Sequence, residues 1–321
     1  MQKVLVTGAT GFIGRSLCQY LYEKGFQIRA MSRTVCDSAL SDQYEWVSGD
    51  ITQPASLLGL CDGVDIVFHL AGFAHAEEEK GSQFRKQHEA INYHGTMHIL
   101  NESERAGVKR FVYFSSVKAV AECDNCTDES WDKMPSDAYG IAKRQAEAAV
   151  LKISKNPIIL RPTLVYGLGV KGNLSAMIKA ISRGYFPTPP PIQNHKSMVS
   201  LADLCRAAVL AAQVENPLQK IYIVSDGVAY STFQIHQMIL AALGKRKVEL
   251  YLPLFIWNGL AKIGDILQKI IHRRLPMSSV VFKKLFSNAA YCSQYAKNEL
   301  QFDPQFTLPD VLPLIIKEYG F

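Results

Sequence analysis

Three evenly spaced glycines follow a short β-branched run at the beginning of the sequence. Residues 4–7 read Val-Leu-Val-Thr, the glycines are Gly8, Gly11 and Gly14, and a stretch with apolar helical periodicity covers 12–22. This order predicts a strand, a tight turn and a helix. Gly8 would permit the turn, Gly11 would let backbone approach a pyrophosphate, and Gly14 would let the helix lie near the strand. We therefore expect a dinucleotide site, with a ligand-free tight turn as the alternative.

Strand and helix patterns alternate through the first half of the chain. Short apolar runs are separated by stretches with helical periodicity, such as 84–106 and 139–154. Further strands are predicted at 27–31, 45–47, 65–70, 111–114, 158–160 and 221–224. Such alternation is typical of an α/β fold with a doubly wound parallel sheet of Rossmann type. We expect a nucleotide-binding domain over 1–165 and a smaller C-terminal substrate lobe over 166–321, with 221–224 returning to the main sheet.

Composition and charge narrow the classes of partner. The 321 residues are 48% hydrophobic, and 35 Lys and Arg against 29 Asp and Glu give a net charge of +6 without a block of like charges. We read this charge as spread along the chain, which suits an anionic small substrate better than nucleic acid. Seven scattered cysteines predict no disulfide framework and a reducing, cytoplasmic compartment. The Cys123 and Cys126 pair predicts two loop thiols, with zinc binding or redox chemistry as the alternative, and we expect no metal site.

The later part of the chain carries two unusual stretches. Residues 186–191 are rich in proline and predict a surface loop. Residues 251–271 are apolar but interrupted by polar side chains, so they are too polar to span a bilayer. Their spacing predicts a core-facing helix, with a membrane-surface or partner-facing helix as alternatives. The first residues lack the pattern of a signal peptide, so we expect no targeting or transmembrane segment.

The end of the second predicted strand bears on the choice of dinucleotide. An acidic side chain there would bind the ribose hydroxyls of NAD and repel a 2′-phosphate, but the chain has Ser32 followed by Arg33. This predicts NADP as the preferred cofactor and NAD as the second choice. Asp50, followed by Ile51, comes after the third strand and could accept from the adenine amino group. A solvated Arg33 and a turn-capping Asp50 are the alternatives.

A tyrosine and a lysine four residues apart suggest the chemistry. Tyr139 and Lys143 share one face of a predicted helix, so the ammonium can stabilise the tyrosinate. Ser115 and Ser116 follow the fifth predicted strand, at the sheet edge where ligands of open α/β folds bind. A serine hydroxyl there could bond a substrate oxygen that gains or loses a proton, or could cap the next turn.

Taken together, these motifs resemble extended short-chain dehydrogenases/reductases of the nucleotide-sugar epimerase/dehydratase/reductase family. The resemblance covers nearly the full length of the chain. It is carried by residues 7–14, His-Leu-Ala-Gly at 69–72, Asn-Tyr-His-Gly-Thr at 92–96, Phe-Ser-Ser at 114–116, Tyr-Gly-Ile-Ala-Lys at 139–143 and Arg-Pro-Thr-Leu-Val-Tyr-Gly at 161–167.

The resemblance assigns roles by motif position. Ser116, Tyr139 and Lys143 would be catalytic. The cofactor would be bound by Gly8, Gly11, Phe12, Ile13, Gly14, Ser32, Arg33, Asp50, Ile51, Leu70, Ala71, Tyr139 and Lys143. The substrate would be bound by Ser116, Lys118, Asn173 and Lys196, where Lys196 stands in place of an arginine that the family commonly places on the diphosphate. The family also pairs through the helices that begin near Asn92 and Tyr139, which implies a homodimer.

Departures from the family pattern narrow the reaction. The 4,6-dehydratases of the family have Thr-Asp-Glu where this chain has Ser116, Val117 and Lys118, and valine cannot protonate a leaving hydroxyl. The run Ser-Ser-Val-Lys at 115–118, the segment 194–199 and the lack of an acid at position 32 resemble another branch of the family. That branch reduces UDP-linked 4-keto-6-deoxy sugars, so the resemblance favours this reaction, with NADPH, for surface polysaccharide synthesis. The alternatives are a UDP-sugar 4-epimerase with retained NAD, a reductase of a steroid-like ketone, and a non-catalytic NADP-binding regulator.

Overall fold

A computed structural model describes residues 1–34, 43–74, 82–123, 125–246, 250–271 and 278–321. Its main feature is a seven-stranded sheet in which each strand pairs in parallel with its neighbours. In chain order its strands are β1 (Lys3–Thr7), β2 (Gln27–Ser32), β3 (Glu45–Ser48), β4 (Ile66–His69), β5 (Arg110–Phe114), β6 (Pro157–Pro162) and β9 (Ile221–Val224). Their spatial order is β3-β2-β1-β4-β5-β6-β9, so the chain adds strands on one side of β1 up to β3 and on the other side from β4 onward. The predicted doubly wound fold is confirmed.

Helices cover both faces of this sheet, which explains the continuous apolar runs of its central strands. The helices are α1 (Phe12–Glu23), α2 (Ser82–His88), α3 (Gly95–Arg105), α4 (Ala138–Ile153), α5 (Asn173–Ser182), α6 (Leu201–Gln213), α7 (Thr232–Ala242), α8 (Leu254–Ile271), α9 (Ser279–Phe286), α10 (Gln294–Glu299) and α11 (Leu308–Glu318). On one face α1 and α6 pack against the strands, and on the other α3 and α4 do so.

The helix predicted over 84–106 is interrupted. It is divided into α2, a π-helical stretch at Glu89–His94, and α3. Gly95 begins α3 where the Ile51 side chain presses on the backbone, because a Cβ at Gly95 would lie 2.7 Å from Cδ1 of Ile51. Periodicity alone does not reveal such a contact between distant segments.

A second, three-stranded sheet forms part of the C-terminal region. It consists of β7 (Leu164–Tyr166), β8 (Lys196–Ser200) and β10 (Ala229–Tyr230) in the order β10-β8-β7. Together with α5, α7 and α11 it surrounds a separate apolar cluster. Phe12, the first residue of α1, packs against this cluster and against the core of the main sheet. The two parts of the chain therefore meet at the glycine turn.

The two unusual late stretches differ from their predictions. Residues 186–191 have no regular structure, but 188–190 are buried, and the carbonyl of Thr188 accepts from the N–H of Leu252. The helix predicted within 251–271 is α8, with Trp257 and Ala261 fully buried. Most of its other apolar side chains are exposed, so the core-facing prediction is wrong for them. Among the helices described, α8 included, none is long and apolar enough to cross a membrane.

Candidate functional site

The backbone packs so tightly in the turn after β1 that positions 8 and 14 have room only for glycine. Gly8 has φ +70°, and a Cβ there would lie 2.9 Å from the backbone nitrogen of Ala71. At Gly14 a Cβ would lie 2.1 Å from the carbonyl oxygen of Gly8. The Gly11 N–H donates to that same oxygen at 2.9 Å. These contacts hold the start of α1 directly against the end of β1.

This turn fits the pyrophosphate of a dinucleotide. Helix α1 begins at Phe12, and its N-cap Gly11 offers no side-chain acceptor to the first-turn N–H groups. Such groups have no partner within the helix, so those of Phe12 and Ile13 would hold a phosphate, which the helix dipole also favours. Gly14, one residue on, lets α1 lie this close to the end of β1. The predicted cofactor residues of this segment therefore lie together.

A buried polar network fixes the neighbouring loop after β4. The Thr7 hydroxyl oxygen accepts from the N–H groups of Leu70 and Ala71, each at 3.1 Å. The His69 ring lies 2.7 Å from the Thr7 hydroxyl and 2.9 Å from that of Thr96. Burial lowers the pKa of His69 to about 3, with the charge of Lys143 a smaller cause, so the ring is neutral. The sequence analysis assigned no role to Thr7 or His69. Both are polar residues at the end of an apolar strand, and this position could have identified them.

The residues predicted to contact the adenosine part of the cofactor lie in different environments. Ser32 is buried at the end of β2, and its hydroxyl donates to the carbonyl of Thr34. Arg33 is exposed beside it. Asp50 accepts from the N–H and the hydroxyl of Thr52, both at 2.8 Å. These bonds, reinforced by the charge of Arg33, hold the pKa of Asp50 below its usual value. Asp50 thus caps a turn, and the buried Ile51 side chain packs in the core.

The structure distinguishes the two serines after β5. The Ser115 hydroxyl is buried and donates to Glu147 at 2.6 Å. The Ser116 hydroxyl oxygen accepts from the N–H of Lys118 at 3.2 Å, so this serine also caps a short 3₁₀ turn. A hydroxyl that accepts this bond keeps its proton for another acceptor. Ser116 is therefore the serine of the pair that is suited to bond a substrate oxygen.

Tyr139 and Lys143 lie on the first two turns of α4. Asp137 caps this helix by accepting from the N–H of Gly140 at 2.9 Å. The Lys143 ammonium donates to the carbonyl of Phe114 at 2.8 Å and lies 4.7 Å from the centre of the Tyr113 ring. Burial lowers the pKa of Lys143 to about 8, opposed in part by the charge of Glu147. The bond to Phe114 places Lys143 at the end of β5, beside the serines.

A buried ion pair secures α4 to β6. Both Glu147 and Arg161 are 1% exposed, and the guanidinium donates to the two carboxylate oxygens at 2.8 and 2.6 Å. Since Glu147 also accepts from Ser115, one carboxylate connects α4, β5 and β6. This arrangement fixes the helix that carries Tyr139 and Lys143 relative to the strand ends.

Two further residues position the tyrosine, and the sequence analysis gave them no such role. The buried His88 ring packs edge-on against Tyr139, with ring centres 5.7 Å apart. Asn92 lies 3.1 Å from the His88 ring nitrogen and bonds both the N–H and the carbonyl of Phe73, at 2.7 and 2.9 Å. Asn92 belongs to the π-helical stretch, and such stretches are frequent at functional sites. The sequence analysis named Asn92 only as part of a motif and as the start of a helix that would pair in a homodimer.

The predicted substrate residues lie in two places. Lys118 and Glu122 each lie within electrostatic range of Lys196, and burial lowers the pKa of Lys196 to about 8. The Lys196 ammonium donates to the carbonyl of Lys284 at 2.8 Å. Asn173 is exposed at the first position of α5. The loop before Asn173 reaches the glycine turn, because a Cβ at Gly169 would lie 3.6 Å from the Phe12 ring.

Comparisons with known proteins agree with this arrangement. Residues 4–225 match the family model described as NAD dependent epimerase/dehydratase family. The UDP-glucose 4-epimerase of Vibrio cholerae is 28% identical over an alignment of 283 positions, gaps included, which covers 84% of this chain and 85% of that protein. The 3 beta-hydroxysteroid dehydrogenase/Delta 5-->4-isomerase of Mycobacterium tuberculosis is 25% identical over an alignment of 343 positions, gaps included, which covers 99% of this chain and 90% of that protein.

A solved structure extends the likeness to the whole fold. The UDP-glucuronic acid 4-epimerase from Bacillus cereus, in complex with UDP-glucuronic acid and NAD, superposes with a TM-score of 0.78 at 20% sequence identity. The match covers 99% of this chain and all of that one.

Proposed function

Because the chain belongs to the NAD-dependent epimerase/dehydratase family, we propose that it reduces C4 of a UDP-linked 4-keto-6-deoxy sugar with NADPH. NADPH supplies a hydride when bound. Tyr139 gives a proton to the sugar O4, and Ser116 donates a hydrogen bond to the same oxygen. Lys143 stabilises the tyrosinate that forms and binds the nicotinamide ribose. The products would serve the synthesis of surface polysaccharide.

The preference for NADPH is inferred from the side chains at the end of β2. The buried side chain there is Ser32, the neighbouring Arg33 is exposed, and the described residues at this strand end include no carboxylate beyond Asp50. A 2′-phosphate would meet a cation at Arg33 instead of an acid that repels it. The Oδ1 of Asp50 accepts from the N–H and the hydroxyl of Thr52, and the Asp50 carboxylate also interacts electrostatically with Arg33.

The diphosphate of the substrate fits the lysines on the C-terminal side. We assign Lys196, aided by Lys118, to the diphosphate and Asn173 to a hydrogen bond with it. Lys196 is half-buried and its pKa is lowered to about 8 by burial, so an arriving anion would favour its charged form. A steroid-like substrate carries no diphosphate and would leave these groups unused, although one relative is named for steroid oxidation.

A UDP-sugar 4-epimerase is the second candidate. It is supported by the name of the Vibrio cholerae relative and by the NAD in the Bacillus cereus structure. The same residues would act in both directions, with Tyr139 taking the proton of the 4-hydroxyl and later returning it. A cytoplasmic location and a homodimer remain predictions.

The nucleotide that accompanies the purified protein separates the two candidates. We would release and identify it, then titrate the stripped protein with NADPH and NADH by fluorescence. Readily dissociable cofactor with tighter binding of NADPH supports the reductase. Stoichiometric NAD that survives purification contradicts it and selects the epimerase, since an epimerase regenerates its cofactor in every turnover.

A further inference from the structure

Helix α8 presents an apolar face outward. Phe255, Ile263, Ile266 and Ile270 are 76, 55, 59 and 68% exposed. Together with Gly259 they recur at spacings of three and four residues, so they form one stripe along the helix. A large apolar stripe that faces away from the core indicates a surface that another apolar medium covers.

The opposite face of α8 is firmly attached to the protein. Trp257 is fully buried and contacts the rings of Phe186 and Phe286, with ring centres 5.3 and 5.5 Å away. Asp265 accepts from the N–H of Ser279 at 3.0 Å and so caps α9. The outward stripe is therefore part of a fixed helix pair and does not result from a detached segment.

Charge distinguishes what this surface meets. Residues 251–286 contain six Lys and Arg against one Asp, so they hold a net charge of +5 out of the +6 of the chain. The charge that we read as spread along the sequence is thus concentrated here. The single acid, Asp265, faces α9, while Lys262 on α8 and Lys283 on α9 are exposed. An apolar stripe with lysines along its side is typical of helices that lie in a membrane interface.

We propose that α8 and α9 dock on the surface of a bilayer that contains anionic phospholipid. The apolar stripe of α8 enters the acyl boundary, and Lys262 and Lys283 meet the negative headgroups. Charged residues in the middle of α8, at Lys262 and Asp265, favour a helix that lies along the surface. The docked face adjoins the substrate side of the site, because Lys196 donates to the backbone of Lys284 on α9.

Vesicle co-sedimentation of the full chain tests this surface. We expect binding to phosphatidylcholine vesicles that contain phosphatidylglycerol, weaker binding without it, and release at high salt. The double variant Ile266→Glu, Ile270→Glu should lower the bound fraction at least about tenfold, because it places two charges in the stripe. The control Leu218→Glu, at a leucine that is 88% exposed before β9, should bind like the wild type.

Two further measurements make the result decisive. NADPH binding and the thermal midpoint should be unchanged in the double variant, which shows that it folds. Light scattering reports whether a second copy covers the stripe instead. A wild-type dimer that the double variant converts to a monomer, with no vesicle binding by the wild type, overturns the proposal. Equal vesicle binding by wild type and double variant also overturns it.

Discussion

The ammonium of Lys143 donates a 2.8 Å hydrogen bond to the carbonyl oxygen of Phe114. This bond joins α4 to the last residue of β5, directly before the two serines. The bond orients the Lys143 ammonium, whose pKa is lowered to about 8 by burial. The positions of Tyr139 and Ser116 relative to each other follow from this connection and from the Glu147–Arg161 pair.

Replacing Tyr139 with Phe should remove the proton donor and leave the fold intact. We expect turnover of the keto sugar to fall by about 10² to 10⁴-fold, the range of general acid catalysis. NADPH binding, followed by fluorescence, should be retained. Undiminished turnover would contradict the assignment, and absence of turnover in the wild type with all tested sugars would favour the regulator alternative.

The two adjacent serines should respond differently to alanine. Ser116→Ala should lower kcat by about 10²- to 10³-fold, because a hydrogen bond to the reacting oxygen is lost. Ser115→Ala should lower the free energy of unfolding by about 1 to 3 kcal/mol, because Glu147 loses a buried donor. Kinetics and urea unfolding of both variants give the comparison. The assignment fails if Ser115→Ala has the larger effect on kcat.

An acid at the end of β2 should change the cofactor preference. Ser32→Asp should weaken NADPH binding by about tenfold or more through repulsion of the 2′-phosphate, and should strengthen NADH binding. Arg33→Gln is the matched variant, because it should weaken NADPH and leave NADH unchanged. Fluorescence titration measures all four affinities. An unaltered ratio in both variants would show that neither residue reads the 2′-position.

Alanine should destabilise the protein at Gly14 of α1 and should be tolerated at Gly259 of α8. In Gly14→Ala the new methyl group would lie 2.1 Å from the Gly8 carbonyl oxygen, so α1 must move away from β1. We expect a lower thermal midpoint and at least about tenfold weaker NADPH binding. In Gly259→Ala on α8 the methyl group meets no atom within 4 Å, so stability should rise by up to about 1 kcal/mol. Equal effects would contradict this account of the turn.

The buried Lys143 should make stability depend on alkaline pH. Its folded pKa of about 8 lies below the ordinary 10.5, so the unfolded chain binds the additional proton between these values. Stability therefore rises with pH across that window, and the cost of the buried charge is fully present below pH 8. Relative to Lys143→Met, the wild type should gain about 3 kcal/mol between pH 7 and pH 10.5. Urea unfolding of both proteins at several pH values measures the difference, and a constant difference would contradict it.

The local sequence was sufficient to predict the seven strands of the main sheet and the glycine turn. Apolar runs and glycine spacing are properties of consecutive residues, so they predicted the main sheet and placed Gly8, Gly11 and Gly14 against α1. Tyr139 and Lys143 were found in the same way, because a spacing of four residues places both on one side of a helix.

Only the tertiary structure shows how side chains that look equivalent in the sequence differ in their contacts. Ser115 faces Glu147 and Ser116 does not, because β6 and α4 bring Arg161 and Glu147 to one side of β5. His88 meets Tyr139 only through the packing of α2 against α4. The stripe of α8 has a helical period that would equally suit a core helix, and it is exposed because the described parts of the chain pack against the Trp257 side of the helix. Periodicity reports that a face is apolar, whereas its burial depends on the surface that distant segments offer to it.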